Sequence, residues 1–275
     1  MTPFEALIGF RPLEEIQAHF ELFPELKSLI SPEGMNKFQN SLTSSDHSVK
    51  KEALKDVFAA LMRSEQSVVT SSIQTLVQRL KSKTDLAQIE TLVLRLDSQF
   101  PNDIGTFSSL FLNYVSLKSS EAIFLAANEP HAYLSGDCVE CMAASDNVVR
   151  AGLTPKFKDV DTLVNMLTYT FGPADQQVLR GDTYKETMFS VLYDPPIEEF
   201  AILRTTVGRG EKEVVGGIQG PSILIVTEGE GVIACDGESE QVKAGYIYFI
   251  GAGEVVELQG SGNDPAVFYR AFCEV

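Results

Sequence analysis

The hydrophobic period changes once along this chain, and that change most limits what the chain can fold into. Through about Phe100, apolar residues recur at helical spacing: Leu13, Ile16 and Phe20; Leu54, Val57, Phe58, Leu61 and Met62; Ile73, Leu76, Val77 and Leu80; Leu86, Ile89, Leu92, Val93 and Leu96. That spacing lines up one face of a helix, so residues 1–100 are expected to form a layer of several short helices. Pro24, Pro32, Gly34 and the polar run from Asn40 to Ser48 punctuate it. Thr2-Pro3-Phe4-Glu5 reads as an N-cap, a proline in the first turn and an acidic side chain favoured by the macrodipole, which places a helix start there.

After Phe100-Pro101 the apolar residues crowd into short runs: FSSLFLNYVSL, EAIFLAA and HAYLSGDCVECMA. These predict short strands joined by tight turns, followed by one helical segment from Asp161. The stretch from Phe171 to Thr187, rich in Gly, Asp, Gln and Thr, is the expected boundary. From Met188 on, the chain is strand-like: SILIVTEGEGVIACDG reads as a hairpin turning at Glu228-Gly229-Glu230-Gly231, and KAGYIYFIGAGEVVEL as two strands broken at Gly251-Ala252-Gly253. Short strands with glycine turns at regular intervals indicate a sandwich or jelly roll.

The length of 275 residues suits two compact domains. A net charge of -16 argues against a phosphate-backbone footprint, so nucleic acid is not an expected partner. A small anionic substrate needs only a few local cations and stays open. No apolar run approaches the ~18 residues of a membrane span, and the first residues lack a secretory layout. Four cysteines without such a leader point to reduced thiols and a cytoplasmic setting.

Three histidines limit imidazole chemistry. His19 falls on a helix and His47 in a Ser-rich loop; both are expected at the surface. His131 opens a strand on the same face as Tyr133, where a lone histidine is more often structural than a metal ligand. Cys138-Val139-Glu140-Cys141 has C-x-x-C spacing without a second pair, so the thiols are expected to pack as small hydrophobes on the strand. Glu140 shares a face with Cys138 and Met142, and is either solvated or partnered. Asp146, Arg150, Gly152, Pro155 and Lys156 gather charge on one loop. It is either a solvated loop or an anion-binding rim built on Arg150 and Lys156.

Taken whole, HAYLSGDCVECMAASDNVVRAGLTPK from His131 to Lys156 resembles the signature of type I mannose-6-phosphate isomerases: H-A-Y, G-D with E-x-M-A, S-D-N-x-x-R-A-G and T-P-K. TPFEALIGFRPLEEI resembles the segment that opens that family's helical insertion, and DIGTFSSLFLNYVSLKSSEAIFLAANEPHAYL resembles the return into its catalytic cupin. The resemblance implies a mixed α and β fold: cupin (jelly-roll) β domains with a helical insertion domain. Residues 1–100 would be the helical domain, 101–170 the remaining part of the catalytic cupin, and 171–275 a C-terminal cupin-like domain. Val255 and Val256 fall where a metal-binding cupin would put histidine, so that last domain is expected to bind no metal.

The resemblance also implies a reaction: interconversion of mannose 6-phosphate and fructose 6-phosphate through an enediol at one Zn2+, feeding GDP-mannose synthesis. His131 matches the family's zinc-ligating histidine and Arg150 its active-site arginine. Tyr133, Asp137, Glu140, Asp146 and Lys156 match or adjoin positions of the substrate pocket. A small sugar phosphate is the expected partner, with no nucleic acid or membrane, and the complete protein is expected to be a monomer. The family's other zinc ligands, a glutamine, a histidine and a glutamate in Y-x-D-x-N-H-K-P-E, lie upstream of its T-P-F-E-A segment. The catalytic cupin is therefore expected to be incomplete in this chain, since a catalytic zinc takes three protein ligands plus water. The competing readings are a non-catalytic cupin with a binding role, and a cysteine-based redox or zinc protein using Cys138 and Cys141.

Overall fold

A computed structural model describes residues 2–145 and 148–274. The chain opens as a strand, not a helix: β1, Phe4–Phe10, pairs antiparallel with β2, Leu112–Leu117, and with β4, His131–Ser135. This corrects the helix start read at Thr2–Glu5. FEALIGF is an apolar run because both faces of this central strand are covered, and periodicity cannot separate such a strand from a buried helical turn.

Between β1 and β2 lie seven helices: α1 Leu13–Leu22, α2 Pro24–Lys27, α3 Pro32–Leu42, α4 His47–Met62, α5 Gln66–Lys81, α6 Gln88–Gln99 and α7 Gly105–Ser108. Their starts follow local chemistry. Ser31 caps α3 by accepting from the Gly34 N–H at 3.1 Å, with Pro32 in the first turn, and Asp46 caps α4 through the Ser48 N–H at 2.8 Å. The apolar stripes read from the sequence converge in one cluster that includes Phe20, Leu54, Phe58, Ile73, Leu76, Val93 and Leu96. Leu7, Phe10 and Leu112 join it from the three-stranded sheet, so the helical layer is the floor on which β1 and β4 lie. On the other face, Phe4, Ala6 and Ile8 pack with Val115, Leu117 and Ile123.

The crowded apolar runs after Pro101 form less strand than expected. FSSLFLNYVSL splits between α7 and β2, and EAIFLAA yields only β3, Ala122–Ile123. β4 stops at Ser135, so Cys138, Glu140 and Cys141 do not lie on a strand. Among the described residues no helix or strand follows until α8, Val160–Met166, capped by Asp159. The stretch read as a linker carries β5, Val178–Leu179, paired with β3, and β6, Asp182–Thr183, which joins the next sheet.

The remaining strands make a two-sheet sandwich: β7 Ser190–Tyr193, β8 Ala201–Val207, β9 Lys212–Val215, β10 Ser222–Glu228, β11 Glu230–Cys235, β12 Glu238–Lys243, β13 Ile247–Ile250, β14 Val256–Gly260 and β15 Ala266–Phe272. One sheet runs β13-β10-β15-β8-β7-β6 and the other β12-β11-β14-β9. The expected hairpin at 228–231 is corrected here, because β10 pairs with β13 and β15 while β11 pairs with β12 and β14. Gly229, at φ +70, carries the chain from one sheet to the other, and a Cβ there would lie 2.3 Å from the Pro265 carbonyl oxygen. Both strands alternate apolar residues inward, so the sequence pattern is the same for a hairpin and for a crossing between sheets.

Candidate functional site

β4 exposes alternate residues, His131, Tyr133 and Ser135, while Ala132 and Leu134 pack on the helical cluster. β1 holds it in register through Ile8↔His131 and Ala6↔Tyr133. His131 Nδ1 lies 3.0 Å from the Glu129 carbonyl, which can only accept. Nδ1 therefore carries a proton, which in the neutral ring leaves the lone pair on Nε2. Glu129 is itself anchored by the Thr168 hydroxyl, and burial raises its carboxyl pKa. The rings of His131 and Tyr133 lie 5.7 Å apart, and Phe4 packs edge-on to Tyr133 at 5.2 Å.

Tyr133 donates to Glu140 Oε1 at 2.6 Å, so Glu140 is partnered as well as exposed. Burial, then the adjoining carboxylate, pushes the phenol of Tyr133 well up, so it stays a donor at neutral pH. Asp137 is fixed by Thr2: its carboxylate accepts from the Thr2 hydroxyl at 2.9 Å and its N–H donates to that oxygen at 3.0 Å. Gly136 permits this turn, since at φ +95 any Cβ would sit 2.2 Å from the Pro3 carbonyl oxygen. The turn closes β4 against the residues that precede β1.

Two groups escaped the sequence reading. Glu5 accepts from Ser135 Oγ at 2.5 Å, from Tyr114 Oη and from Arg95 Nη1 at 2.7 Å, tying β1, β2, β4 and α6 together under the exposed face. The Ser135 and Tyr114 hydroxyls, with Arg95, hold its carboxyl pKa down to about 2. Asp103 organises the loop that carries the cations: its Oδ1 accepts from the N–H of Leu153 and of Gly105, each at 2.7 Å, and its Oδ2 takes Lys158 Nζ at 2.9 Å. Gly152 lies so close that a Cβ would meet Gly105 Cα at 2.7 Å. No sequence signal marks these roles of Glu5 and Asp103, because most of their partners lie 50 to 130 residues away.

Arg150 is half-buried and Lys156 exposed. Among the described residues, no hydrogen bond or ion pair joins either to His131, Tyr133, Asp137 or Glu140. Asp146 lies outside the described residues. Cys138 and Cys141 are free thiols, one exposed and one half-buried, and burial raises the pKa of both, with Glu140 and Asp137 adding to it at Cys138. Raised thiols are poor nucleophiles and poor metal ligands. His19, expected at the surface, is buried instead, with Nδ1 2.7 Å from the Leu110 carbonyl. His47 is exposed at the start of α4 and stacks on Phe171 at 5.0 Å. A cleft of about 620 Å³ lined by Ser119, Arg204, Thr206 and Tyr269 contains none of the β4 group.

A catalytic zinc takes three protein ligands. Among the described residues there is no group of three or more His, Cys, Asp or Glu that could hold a metal ion. These residues do not by themselves fit a zinc site. No helix among them is long and apolar enough to cross a membrane.

Helical insertion, three-stranded sheet and β sandwich together define a class: mixed α and β proteins in which a helical domain interrupts β domains of the jelly-roll kind. Residues 29–112 match the helical insertion domain of type I phosphomannose isomerase, and residues 190–238 match that family's C-terminal domain. Mannose-6-phosphate isomerase of Ogataea parapolymorpha is 46% identical over all of this chain and 66% of its own length. The Emericella nidulans enzyme is 42% identical over all of the chain and 68% of its own length. A crystal structure of the Salmonella typhimurium enzyme bound to its substrate fructose 6-phosphate and a zinc atom superposes with TM-score 0.81 at 28% identity, over all of this chain and 64% of that one. The chain belongs to the type I mannose-6-phosphate isomerase family, and spans about two thirds of the length of the relatives it matches.

Proposed function

We propose that this sequence carries the helical domain, the β4 site strand and the C-terminal sandwich of an aldose–ketose isomerase acting on mannose 6-phosphate and fructose 6-phosphate. The observation that carries the reading is exposed His131, its Nδ1 held by the Glu129 carbonyl, beside Tyr133, which donates to Glu140. Neutral imidazole with the second nitrogen fixed by a carbonyl is the form in which histidine ligates a metal. Zn2+ is the cofactor this supports, since a relative of this fold carries zinc. The other ligands would come from residues outside those described.

Arg150 and Lys156 are the cations of the loop that Asp103 clamps, and we assign them to the phosphate or to the developing enediolate charge. Tyr133 and Glu140 form a donor and carboxylate pair on the same open face, suited to holding sugar hydroxyls. Asp137 shapes the turn beside them, and Asp146 is assigned to the same rim from its place in the signature. The roles divide as the chemistry requires: the reaction moves one proton between C1 and C2 and builds negative charge on two oxygens. A cytoplasmic monomer fits the reading.

The test is conversion of mannose 6-phosphate with zinc, for this chain alone and for the chain joined to the remaining third of a relative. The joined protein should turn over and the chain alone should not approach it. A joined, folded protein without isomerase activity would refute the assignment.

A further inference from the structure

The two faces that the C-terminal sandwich turns outward differ in kind. On the four-stranded sheet the outward residues are largely polar: Gln241, Val232, Gln259 and Lys212 form one cross-strand row, and Ser239, Ala234, Glu257 and Val214 the next, with Lys212 paired to Glu257. That is an ordinary solvated face. On the six-stranded sheet, β7, β8, β15, β10 and β13 line up Tyr193, Ile202, Ala271, Ile223 and Phe249 in one row, and Val191, Arg204, Tyr269, Ile225 and Ile247 in the next. Leu203, Arg270 and Leu224 alternate with them and point inward, where all three are buried. Arg204 is the one charged side chain in the two rows, and it hydrogen-bonds Tyr269.

Cover on this apolar face runs out along the rows. Tyr193 and Tyr269 are 7% and 8% exposed, whereas Ile223 is 56%, Ile247 64% and Phe249 74% exposed. At the β7 end the cover is the turn between β2 and β3, where Tyr193 Oη donates to the Ser120 carbonyl at 2.7 Å. Ser119 of the same turn lines the cleft with Arg204, Thr206 and Tyr269. At the other end Ile223 lies directly opposite Phe249, and Ile225 opposite Ile247, on the edge strand β13, which carries neither charge nor proline to discourage a neighbour. Exposed apolar side chains that adjoin across strands mark a contact surface.

Size and continuity decide what covers it. A large side chain offers at most about 250 Å², so three, each partly exposed, fall short of the roughly 800 Å² per partner of a stable complex between separate molecules. A segment of the same chain needs less, since its tether keeps it at high local concentration. The patch also continues a face already covered from the three-stranded sheet, whose outer strands β2 and β4 pair only with β1 among the described residues. In the Ogataea parapolymorpha relative the match spans 66% of the length, which leaves about a third of that chain outside it.

We propose that the remaining third of the isomerase chain packs on Ile223, Ile247 and Phe249, so that the outer face of the six-stranded sheet is an interface from β7 to β13. The inference rests on the isomerase reading, and it makes the C-terminal sandwich a backing for the residues that complete the site.

The chain alone and the joined protein test this through Phe249→Cys and Ile247→Cys, each labelled with a maleimide and read by peptide mass spectrometry, with Val214→Cys on the polar face as the reference. Positions 249 and 247 are more open than 214, which is 52% exposed, so in this chain alone they should label at least as fast as 214. In the joined protein they should label at least about tenfold more slowly than 214. Rates equal to that of 214 at both positions in a folded joined protein overturn the proposal, whether or not that protein converts mannose 6-phosphate. Protection in an inactive joined protein upholds the interface and counts against the isomerase assignment alone. Sedimentation separates the other occupant: protection of 247 in this chain by itself, with a dimer that Phe249→Asp dissolves, makes a second copy the cover and overturns the proposal.

Discussion

His19 makes the helical domain sensitive to mild acid. It is 8% exposed on α1, donates from Nδ1 to the Leu110 carbonyl, and turns Nε2 toward Arg11 Nη1 at 3.5 Å. Burial, then the neighbouring Arg11 charge, lowers its pKa from 6.5 to about 4. A base whose folded pKa is depressed contributes stability that is complete above the unfolded pKa and lost as pH falls toward the folded one. The full difference corresponds to about 3 kcal/mol, of which about 2 kcal/mol is lost on going from about pH 8 to pH 5. That is a large share of the roughly 5–15 kcal/mol of a typical domain. Urea melts of the parent chain and of His19→Gln across this window measure it. At about pH 7.5 the variant should be less stable by about 1–2 kcal/mol, because the Leu110 contact weakens. Near pH 5 the two should converge, since glutamine does not titrate. Other carboxylates, including Glu129 with its opposite sign, cancel in the difference. Parallel loss of stability in both proteins would refute the account.

Four further outcomes follow from the contacts. Glu5 contributes stability above pH 4.5 that is lost as pH falls toward its folded value of about 2, so Glu5→Gln should cost about 2 kcal/mol at pH 7 and progressively less in acid, by thermal melts. Gly229→Ala forces a Cβ to 2.3 Å from the Pro265 carbonyl oxygen at φ +70, and should destabilise the sandwich by about 2 kcal/mol or more in urea. Glu90, 1% exposed, accepts from Lys83 Nζ at 2.6 Å and from the Ala87 N–H at 3.0 Å, so Glu90→Ala should cost about 2 kcal/mol, read by helix loss in circular dichroism melts. Arg150→Ala in the joined, active protein should lower kcat about a hundredfold or more while leaving Tm unchanged.

Much of the fold was legible because local chemistry and period agree over long stretches. The stripes of α4, α5 and α6 repeat over three or more turns, and Asp46 and Ser31 mark starts by capping. The run from His131 to Lys156 was legible for a different reason: a family signature keeps its residue types in order whatever secondary structure they take. Legibility failed where one pattern serves two structures. FEALIGF reads as helix or as doubly covered strand, and the strands flanking Gly229 read as a hairpin or as a crossing. Glu5 and Asp103 were invisible because each acts through partners brought near only by folding.

By itself, then, the sequence determined the change from helical to strand period, the family, and the alternation that puts His131 and Tyr133 on one face of β4. Only the tertiary structure decided which strands pair across Gly229, that His19 and Arg270 are buried, and that His131 is held by the Glu129 carbonyl. The physical reason is range. Propensity, capping and hydrophobic period act over a few residues, whereas burial and electrostatic environment are set by neighbours that the chain supplies from far away.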